Sequence, residues 1–379
     1  MDFEFSENHL MVRDLIKDFV KREVQPGAYD RDQTGNYPME IVKKLGELGM
    51  MGIIVPEQFG GAGLDVTSFC IVIEEISKVD ASLGLTLSAH NGLPLGHLLT
   101  SGSDALKSKY LPKLASGEQI GAWCLTEPVS GSDALGMNTV AEKKGTNWVI
   151  NGSKNFITNA TVADVFIILA FTDKGKGTRG VSAFVAERGW KGLTIGKPEN
   201  KLGMRSSDTA SITFENLEIP EANVVGNVGE GFIDALKVLD RGRVVIGSLA
   251  LGIGKGALAE GAKYSKERTA FGKSISEFQA IQWKLADAAT QLEAAEVLVY
   301  RAAWMHDQKT FAKLESSMAK LFASEAAWSA CNQALQIHGG YGYVKEYPVE
   351  RFFRDVKLCE IGEGTSEIQR EVISSLLVA

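Results

Sequence analysis

The sequence has few cysteines, no long apolar run and no excess of basic residues, and each shortage excludes a class of protein. The four cysteines among 379 residues include no Cys-x-x-Cys pair, so the sequence predicts neither a disulfide framework nor a zinc site. The most apolar stretch, "ADVFIILAF", is far shorter than the roughly 20 residues of a membrane helix, which argues against membrane insertion. A net charge of -7 without a Lys/Arg block argues against nucleic-acid binding.

The beginning of the chain also lacks a targeting pattern. "MDFEFSENHLMVRDL" has no basic segment followed by an apolar core, and it is acidic where a transit peptide would be rich in arginine. The sequence therefore predicts a cytoplasmic, bacterial protein, with a processed mitochondrial matrix form as the alternative.

The distribution of apolar residues predicts an α+β protein with three parts. Residues 1–120 have helical spacing, beginning with a helix that is capped by Ser6. Residues 121–226 contain β-branched and aromatic runs between Asn-Gly and Gly-rich turns, which predicts a β domain. Residues 227–379 return to long helical patterns with apolar residues on more than one face, which predicts a helical bundle that also packs against other subunits.

Three patterns that imitate known sites are set aside. "GIGKG" at 252–256 lies in a helical stretch with no strand before it, so it predicts close helix packing instead of dinucleotide binding. The five histidines include no pair at metal-ligand spacing, and no metal site is expected. Ser317 and Lys320 match Ser-x-x-Lys, but they lie in the middle of a predicted helix without the companion motifs of a serine nucleophile.

Hydroxyl groups and an aromatic ring at strand ends of the β domain favour a planar ligand. Thr126, Ser130 and Ser132 follow a strand and offer donors to a ring edge or a pyrophosphate. Phe156 and Thr158 place an aromatic ring beside a hydroxyl, an arrangement that suits a planar heterocycle, although such a phenylalanine is more often part of a core.

The stretch "CEIGEGTSEIQR" places three glutamates within eight positions, and the middle one, Glu363, lies between Gly362 and Gly364. Glycines free the backbone and leave room for a close neighbour, so the pattern predicts a ligand against Glu363, with a surface turn as the alternative. Ser366 and Gln369 have capping-box spacing, which predicts a helix start immediately after it.

Seven strings resemble, in order and spacing, the motifs of the acyl-CoA dehydrogenase family. They are "LTEPVSGSD", "INGSKNFITN", "KLGMRSSDTASITFENLEIP", "LDRGR", "ERTAFGKSISEFQAIQ", "QIHGGYGY" and "EIGEGTSEIQ". The resemblance covers essentially the whole chain. It implies a helical N-terminal domain, a middle β domain and a C-terminal four-helix bundle, with FAD bound between the last two without a Rossmann fold.

The resemblance also implies the residues that bind FAD. Those expected near the flavin and its phosphates are Trp123, Leu125, Thr126, Ser132, Phe156, Ile157, Thr158, Thr365 and Glu367. Those expected to reach the FAD of a neighbouring subunit are Arg268, Phe271, Gln279, Gln336, Gly339 and Gly340, which implies a homo-oligomer, usually a tetramer.

By the same resemblance Glu363 is the catalytic base that removes a proton from the substrate. Ser132, Asp240, Arg243 and Gly364 are the implied substrate-binding residues. Some branches of the family place their glutamate in the "LDRGR" region, where this chain has Gly242, so the short- and medium-chain arrangement is favoured. The chain departs from the family where Gly362 replaces the usual tyrosine, which leaves the acyl chain length open.

The implied activity is FAD-dependent α,β-dehydrogenation of a short- or medium-chain saturated acyl-CoA, with an electron-transfer flavoprotein as acceptor. An acyl-CoA oxidase that uses oxygen, and a dehydrogenase of a branched or cyclic acyl-CoA, are the alternatives. A non-catalytic acyl-CoA-binding relative is a third hypothesis, which the presence of Glu363, Thr158, Arg268 and Gln336 disfavours.

Overall fold

Helices occupy both ends of the chain and a sheet occupies its middle in the computed structural model, which describes residues 4–378. This order confirms the predicted α+β architecture, whereas the boundaries at 120 and 226 remain a prediction. The N-terminal helices are α1 (Glu7–Phe19), α2 (Ala28–Thr34), α3 (Met39–Glu47), α4 (Val66–Ser77), α5 (Ala81–His90), α6 (Gly96–Ser101) and α7 (Asp104–Ala115). As predicted, Ser6 caps α1, because its Oγ accepts a hydrogen bond from the His9 N–H at 3.3 Å.

The middle of the chain forms one sheet around a strand that is buried along its whole length. Its strands are β1 (Gly121–Cys124), β2 (Val140–Lys144), β3 (Asn147–Thr158), β4 (Val165–Phe171), β5 (Val181–Glu187), β6 (Leu193–Pro198), β7 (Thr209–Pro220) and β8 (Val224–Val225). The strand order is β6-β7-β3-β2-β4-β5-β8, and β1 pairs in parallel with the buried β4. The predicted flavin residues of the β domain thus lie at the ends of β1 and β3 and in the loop that follows β1.

The C-terminal part is built on one long helix. It comprises α8 (Gly231–Glu267), a small hairpin of β9 (Thr269–Ala270) and β10 (Lys273–Ser274), α9 (Gln279–Asp307), α10 (Lys313–His338), α11 (Val349–Val356) and α12 (Ser366–Val378). Helices α8, α9 and α10 pack against one another, and α12 packs on α10. By length and composition alone α8 could cross a membrane, but 78% of its most apolar stretch is buried inside the protein, as in a core helix.

The glycines of "GIGKG" lie inside α8 and allow neighbouring helices to approach closely. A Cβ on Gly252 would meet the carbonyl oxygen of Glu74 at 2.4 Å, and one on Gly254 would meet Leu292 Cδ2 at 2.6 Å. Helices α4 and α9 therefore contact the backbone of α8 directly, which confirms the packing interpretation of this motif.

Candidate active site

Glu363 lies in a tight loop between a 3₁₀ turn at Lys357–Glu360 and the start of α12. The turn fixes the loop, since the Gly362 N–H donates to the carbonyl oxygen of Leu358 at 2.8 Å. Glu363 has φ of 53°, in the left-handed region that non-glycine residues rarely adopt. Backbone strain at a non-glycine residue persists where the surrounding structure enforces it, and it clusters at functional sites.

The two glycines beside Glu363 differ in what they require. Gly364 has φ of 97°, and a Cβ there would lie 2.7 Å from Gln369 Nε2. Gly362 has no left-handed backbone, and a Cβ there would meet its nearest neighbour, the carbonyl oxygen of Leu358, at 3.4 Å. Only Gly364 is therefore required by the backbone, whereas position 362 has room for a side chain.

The start of α12 corrects the predicted capping box. The N-cap is Thr365, whose Oγ1 accepts from the Ile368 N–H at 3.3 Å. Ser366 Oγ is buried with no hydrogen-bond partner among residues 4–378. The Gln369 amide instead donates to the carbonyl oxygen of Gly364 at 2.9 Å, so it holds the Glu363 loop and not the helix end.

One oxygen of the Glu363 carboxylate is buried and unpaired. Within the described part of the chain this oxygen, Oε2, has no hydrogen-bond partner. Burial raises the pKa of this carboxyl from 4.5 to about 7, and the nearby charges of Lys320 and Arg243 act in the opposite direction. A Cβ on Gly242 of α8 would lie 2.1 Å from Oε2, so the absence of a side chain at 242 makes room for the carboxylate.

Two cations on neighbouring helices surround the Glu363 loop. Arg243 of α8 donates through Nη1 to Asp240 Oδ1 at 2.8 Å and to Ser317 Oγ at 3.2 Å. Lys320 of α10 is fully buried, and its Nζ donates to the carbonyl oxygen of Gly364. Burial lowers the pKa of Lys320 to about 8. The base candidate thus lies between two positively charged groups from α8 and α10.

The loop after β1 is held by a buried ion pair. Lys154 of β3 has its Nζ 2.8 Å from Glu127 Oε1 and 2.9 Å from the carbonyl oxygen of Leu125. Glu127 in turn accepts from the Thr139 N–H at 3.0 Å. The Thr126 carbonyl oxygen accepts from the N–H of residue 155 at 2.8 Å, so this loop lies against the end of β3.

The end of β3 presents an aromatic ring outward. Phe156 has φ of 55° and is 62% exposed, whereas Ile157 is buried and Thr158 pairs with Thr209 of β7. Among the nearby predicted residues Trp123 is buried, and its indole N–H already donates to His97 Nδ1 at 3.1 Å. Trp123 therefore offers a ring surface, not a donor, to a ligand at this position.

The predicted residues of the second group lie around the C-terminal end of α8. A cavity of about 530 Å³ is lined by Arg268, Gly339 and Gly340. The guanidinium carbon of Arg268 lies 5.5 Å from the centre of the Tyr341 ring, and Phe271 is 96% exposed. Gln279 and Gln336 are exposed on the adjoining helices α9 and α10. Arg268 comes 26 positions after Gly242, immediately beyond the end of α8, so this group lies about 39 Å along the helix from Gly242, which adjoins the Glu363 carboxylate.

Models of three protein domains match the chain in consecutive segments. They are the acyl-CoA dehydrogenase N-terminal domain at residues 6–118, the middle domain at 122–217 and the C-terminal domain at 229–377. The chain belongs to the acyl-CoA dehydrogenase family. The resemblance of the seven motifs is thereby confirmed, and the protein is a flavin-dependent oxidoreductase with FAD as its cofactor.

Relatives agree over nearly the whole length. The chain is 47% identical to the short-chain specific acyl-CoA dehydrogenase of Clostridium acetobutylicum over 374 residues, which cover 99% of each protein. It shares 40% identity and a TM-score of 0.98 with the butyryl-CoA dehydrogenase structure from Megasphaera elsdenii, at full coverage of both chains. A structure described as the electron transferring flavoprotein of Acidaminococcus fermentans contains a chain with 44% identity, a TM-score of 0.98 and full coverage of both chains.

The residues at the end of β3 fit an acyl-CoA dehydrogenase flavin. The exposed ring of Phe156, held in a left-handed backbone, is available to a planar ligand, and the loop at Thr126 lies beside it. At the other group, Arg268 borders a cavity beside Gly339 and Gly340, where a guanidinium suits a pyrophosphate. Among residues 4–378 no cluster of side chains could hold a metal ion.

Sequence reasoning misses two residues near the base. Ser317 and Lys320 were set aside as an incidental Ser-x-x-Lys match, but Ser317 contacts Arg243 and Lys320 contacts the Glu363 loop. Both residues can therefore support the candidate active site without forming a nucleophile. The available signal was a lysine on a helix whose other residues are mostly small or apolar, since a buried lysine requires a partner.

Proposed function

We propose that this acyl-CoA dehydrogenase converts a short- or medium-chain saturated acyl-CoA into the trans-2-enoyl-CoA, with Glu363 as the base. The observation that carries the proposal is the Glu363 carboxylate, whose Oε2 is buried without a hydrogen-bond partner among residues 4–378 and whose pKa is raised to about 7. General bases work best when their pKa lies near the working pH. An ordinary surface glutamate would be ionised but weakly basic.

Glu363 would remove the proton from the carbon next to the thioester. The resulting negative charge on the thioester oxygen needs hydrogen-bond donors. The Glu363 N–H donates to no acceptor in the described part of the chain and is a candidate donor. Gly364, without a side chain, lets the thioester pass close to this N–H. We assign Phe156, Ile157 and Thr158 to hold the ring of FAD, which when bound would supply the hydride acceptor for the β carbon.

The positive charges of Lys320 and Arg243 would limit the rise in the pKa of Glu363, so that its carboxyl can lose the proton near neutral pH. Without them, burial alone would raise the pKa of Glu363 further and leave it protonated at neutral pH. Asp240 and Arg243 also lie one helical turn apart on α8, joined by a 2.8 Å ion pair, and we assign them to the acyl-CoA.

We also propose that the enzyme is a homotetramer. The group around Arg268 lies about 39 Å along α8 from Gly242, too far for a residue that serves the same FAD. A neighbouring subunit would bring the two groups together. The relative solved with an electron transferring flavoprotein supports such a flavoprotein as acceptor, and the bacterial relatives support a cytoplasmic location. Oxidation of fatty acyl groups is the corresponding pathway.

The test is the bleaching of the flavin by acyl-CoA in the absence of oxygen. The parent enzyme should be bleached by at least one member of a panel from butyryl-CoA to octanoyl-CoA. The Glu363→Gln variant should keep FAD but lose bleaching, by a factor of about 100 to 10,000 in rate. Glu360→Gln, three positions away in an ion pair with Lys357, is the matched control and should bleach normally. Normal bleaching by Glu363→Gln would refute the assignment of the base.

A further inference from the structure

The guanidinium of Arg241 on α8 is largely buried and has no partner among residues 4–378. Its Nε and Nη2 are buried and form no hydrogen bond with residues 4–378, and its guanidinium forms no ion pair with them. Burial lowers the pKa of Arg241 to about 10, and no acidic side chain compensates for this loss of hydration. An isolated buried charge is costly, and arginines are almost never buried without a partner.

The surroundings of Arg241 contain no acidic group that could serve. The neighbouring acid on the same helix, Asp240, is paired with Arg243 at 2.8 Å. Burial lowers the pKa of the neighbouring His306 to about 4, and the positive charge of Arg241 acts in the same direction. The environment is therefore neutral or positive, and it suits an anion.

Arg241 directly precedes the glycine of α8 that lies against the candidate base. Gly242, the next residue, is the glycine that makes room for the Glu363 carboxylate. On its other side Arg241 lies against Gly96, where a Cβ would meet Nη2 at 2.4 Å. Gly96 belongs to the segment "SAHNGLPLGHLL", which packs against α8. Arg241 keeps some accessible surface although its Nε and Nη2 are buried, so part of the side chain can still reach a ligand.

We propose that Arg241 is an oxyanion-binding subsite of the acyl-CoA site. This inference rests on the proposed function. The oxyanion has two possible sources: a carboxylate at the far end of the acyl group, as in a dicarboxylic acyl-CoA, or a phosphate of the CoA itself. Both pair with a guanidinium through charge-assisted hydrogen bonds.

The experiment measures ligand binding in the FAD-loaded Glu363→Gln enzyme, so that no turnover interferes. Dissociation constants of glutaryl-CoA, butyryl-CoA and butyryl-pantetheine are measured by calorimetry with Arg241, Arg241→Met and Arg241→Lys. Loss of one charge-assisted contact raises a dissociation constant by about 10-fold to 100-fold. Arg301→Met, at an exposed ion pair on α9, is the control and should change none of them.

The ligands separate the two sources. If the acyl carboxylate is bound, Arg241→Met weakens glutaryl-CoA alone and Arg241→Lys restores part of the affinity. If a CoA phosphate is bound, Arg241→Met weakens both CoA esters and leaves butyryl-pantetheine unchanged. Unchanged affinity for all three ligands would overturn the inference.

Stability gives an independent readout. Because the Arg241 guanidinium is largely buried without a partner among residues 4–378, the methionine variant should melt no lower than the parent in the absence of acyl-CoA. A purely structural arginine would show the reverse, a lower melting temperature without a change in affinity, and this outcome would also overturn the inference. A parent enzyme whose flavin no acyl-CoA bleaches would instead refute the proposed function itself.

Discussion

Replacing Glu363 by glutamine should stabilise the protein at alkaline pH while it removes the base. Burial raises the pKa of this carboxyl from 4.5 to about 7 in the folded protein. Between these two values the unfolded chain has lost the proton that the folded chain retains. Folding is therefore most favourable below pH 4.5, and its free energy declines as the pH rises through about 7. Glutamine carries no charge and removes this decline.

The size of the effect follows from the two pKa values. The carboxyl should cost about 1 kcal/mol of folding free energy at pH 5 and about 3 kcal/mol at pH 8. An unfolding entropy of about 2.1 cal/mol/K per residue gives about 0.8 kcal/mol/K for a chain of this length that melts as one unit. Glu363→Gln should thus raise the melting temperature by about 4 °C at pH 8 and by about 1 °C at pH 5.

The assay is scanning calorimetry of the FAD-loaded protein at both pH values. Glu40→Gln is the control, since the Glu40 side chain is 87% exposed and its replacement should leave both melting temperatures unchanged. A Glu363→Gln variant that melts at or below the parent temperature at pH 8 would show that the carboxyl is not destabilised by burial. An equal shift at both pH values would show that its pKa is not raised.

Three further substitutions test the surroundings of the base and the β domain. Gly242→Ala should displace the Glu363 carboxylate, because the new Cβ would lie 2.1 Å from Oε2, and should slow flavin bleaching by about 100-fold with FAD retained; normal bleaching would contradict this. Lys320→Met removes a charge that lowers the pKa of Glu363, so the midpoint of flavin reduction against pH, measured by stopped flow, should rise above about 7; a lower midpoint would reverse the sign of the argument. Lys154→Met leaves the Glu127 carboxylate buried without its 2.8 Å partner and should lower the free energy of unfolding, measured in urea, by about 3–5 kcal/mol; a loss below about 1 kcal/mol would contradict this.

Local patterns were sufficient to predict the order of helices and strands. The cap at Ser6, the β-branched runs of the middle segment and the helical spacing of the last third each depend on neighbours in sequence. The cap of the last helix lies at Thr365, one residue before the predicted Ser366. Gln369 has a second possible partner, the carbonyl oxygen of Gly364, which the spacing alone does not reveal.

The base could be proposed from its flanking glycines and from the family resemblance, but its environment could not. Lys320 lies 43 positions before Glu363, and no pattern within α10 indicates that its ammonium group reaches the Gly364 carbonyl. The buried positions of this helix are mostly alanine and serine, so few large apolar residues mark its buried side. A lysine in such a helix can be read as buried, but its partner depends on tertiary packing.

The basicity of Glu363 is set by parts of the chain other than position 362. Burial between α8 and α10, opposed by Lys320 and Arg243, fixes the pKa, and Gly242 supplies the space for the carboxylate. Position 362 contributes to none of these, because its backbone is ordinary and a Cβ there would make only van der Waals contact. A side chain at 362 can therefore appear or disappear without disturbing the base. The glycine in place of the tyrosine that is usual in the family is therefore compatible with the same base.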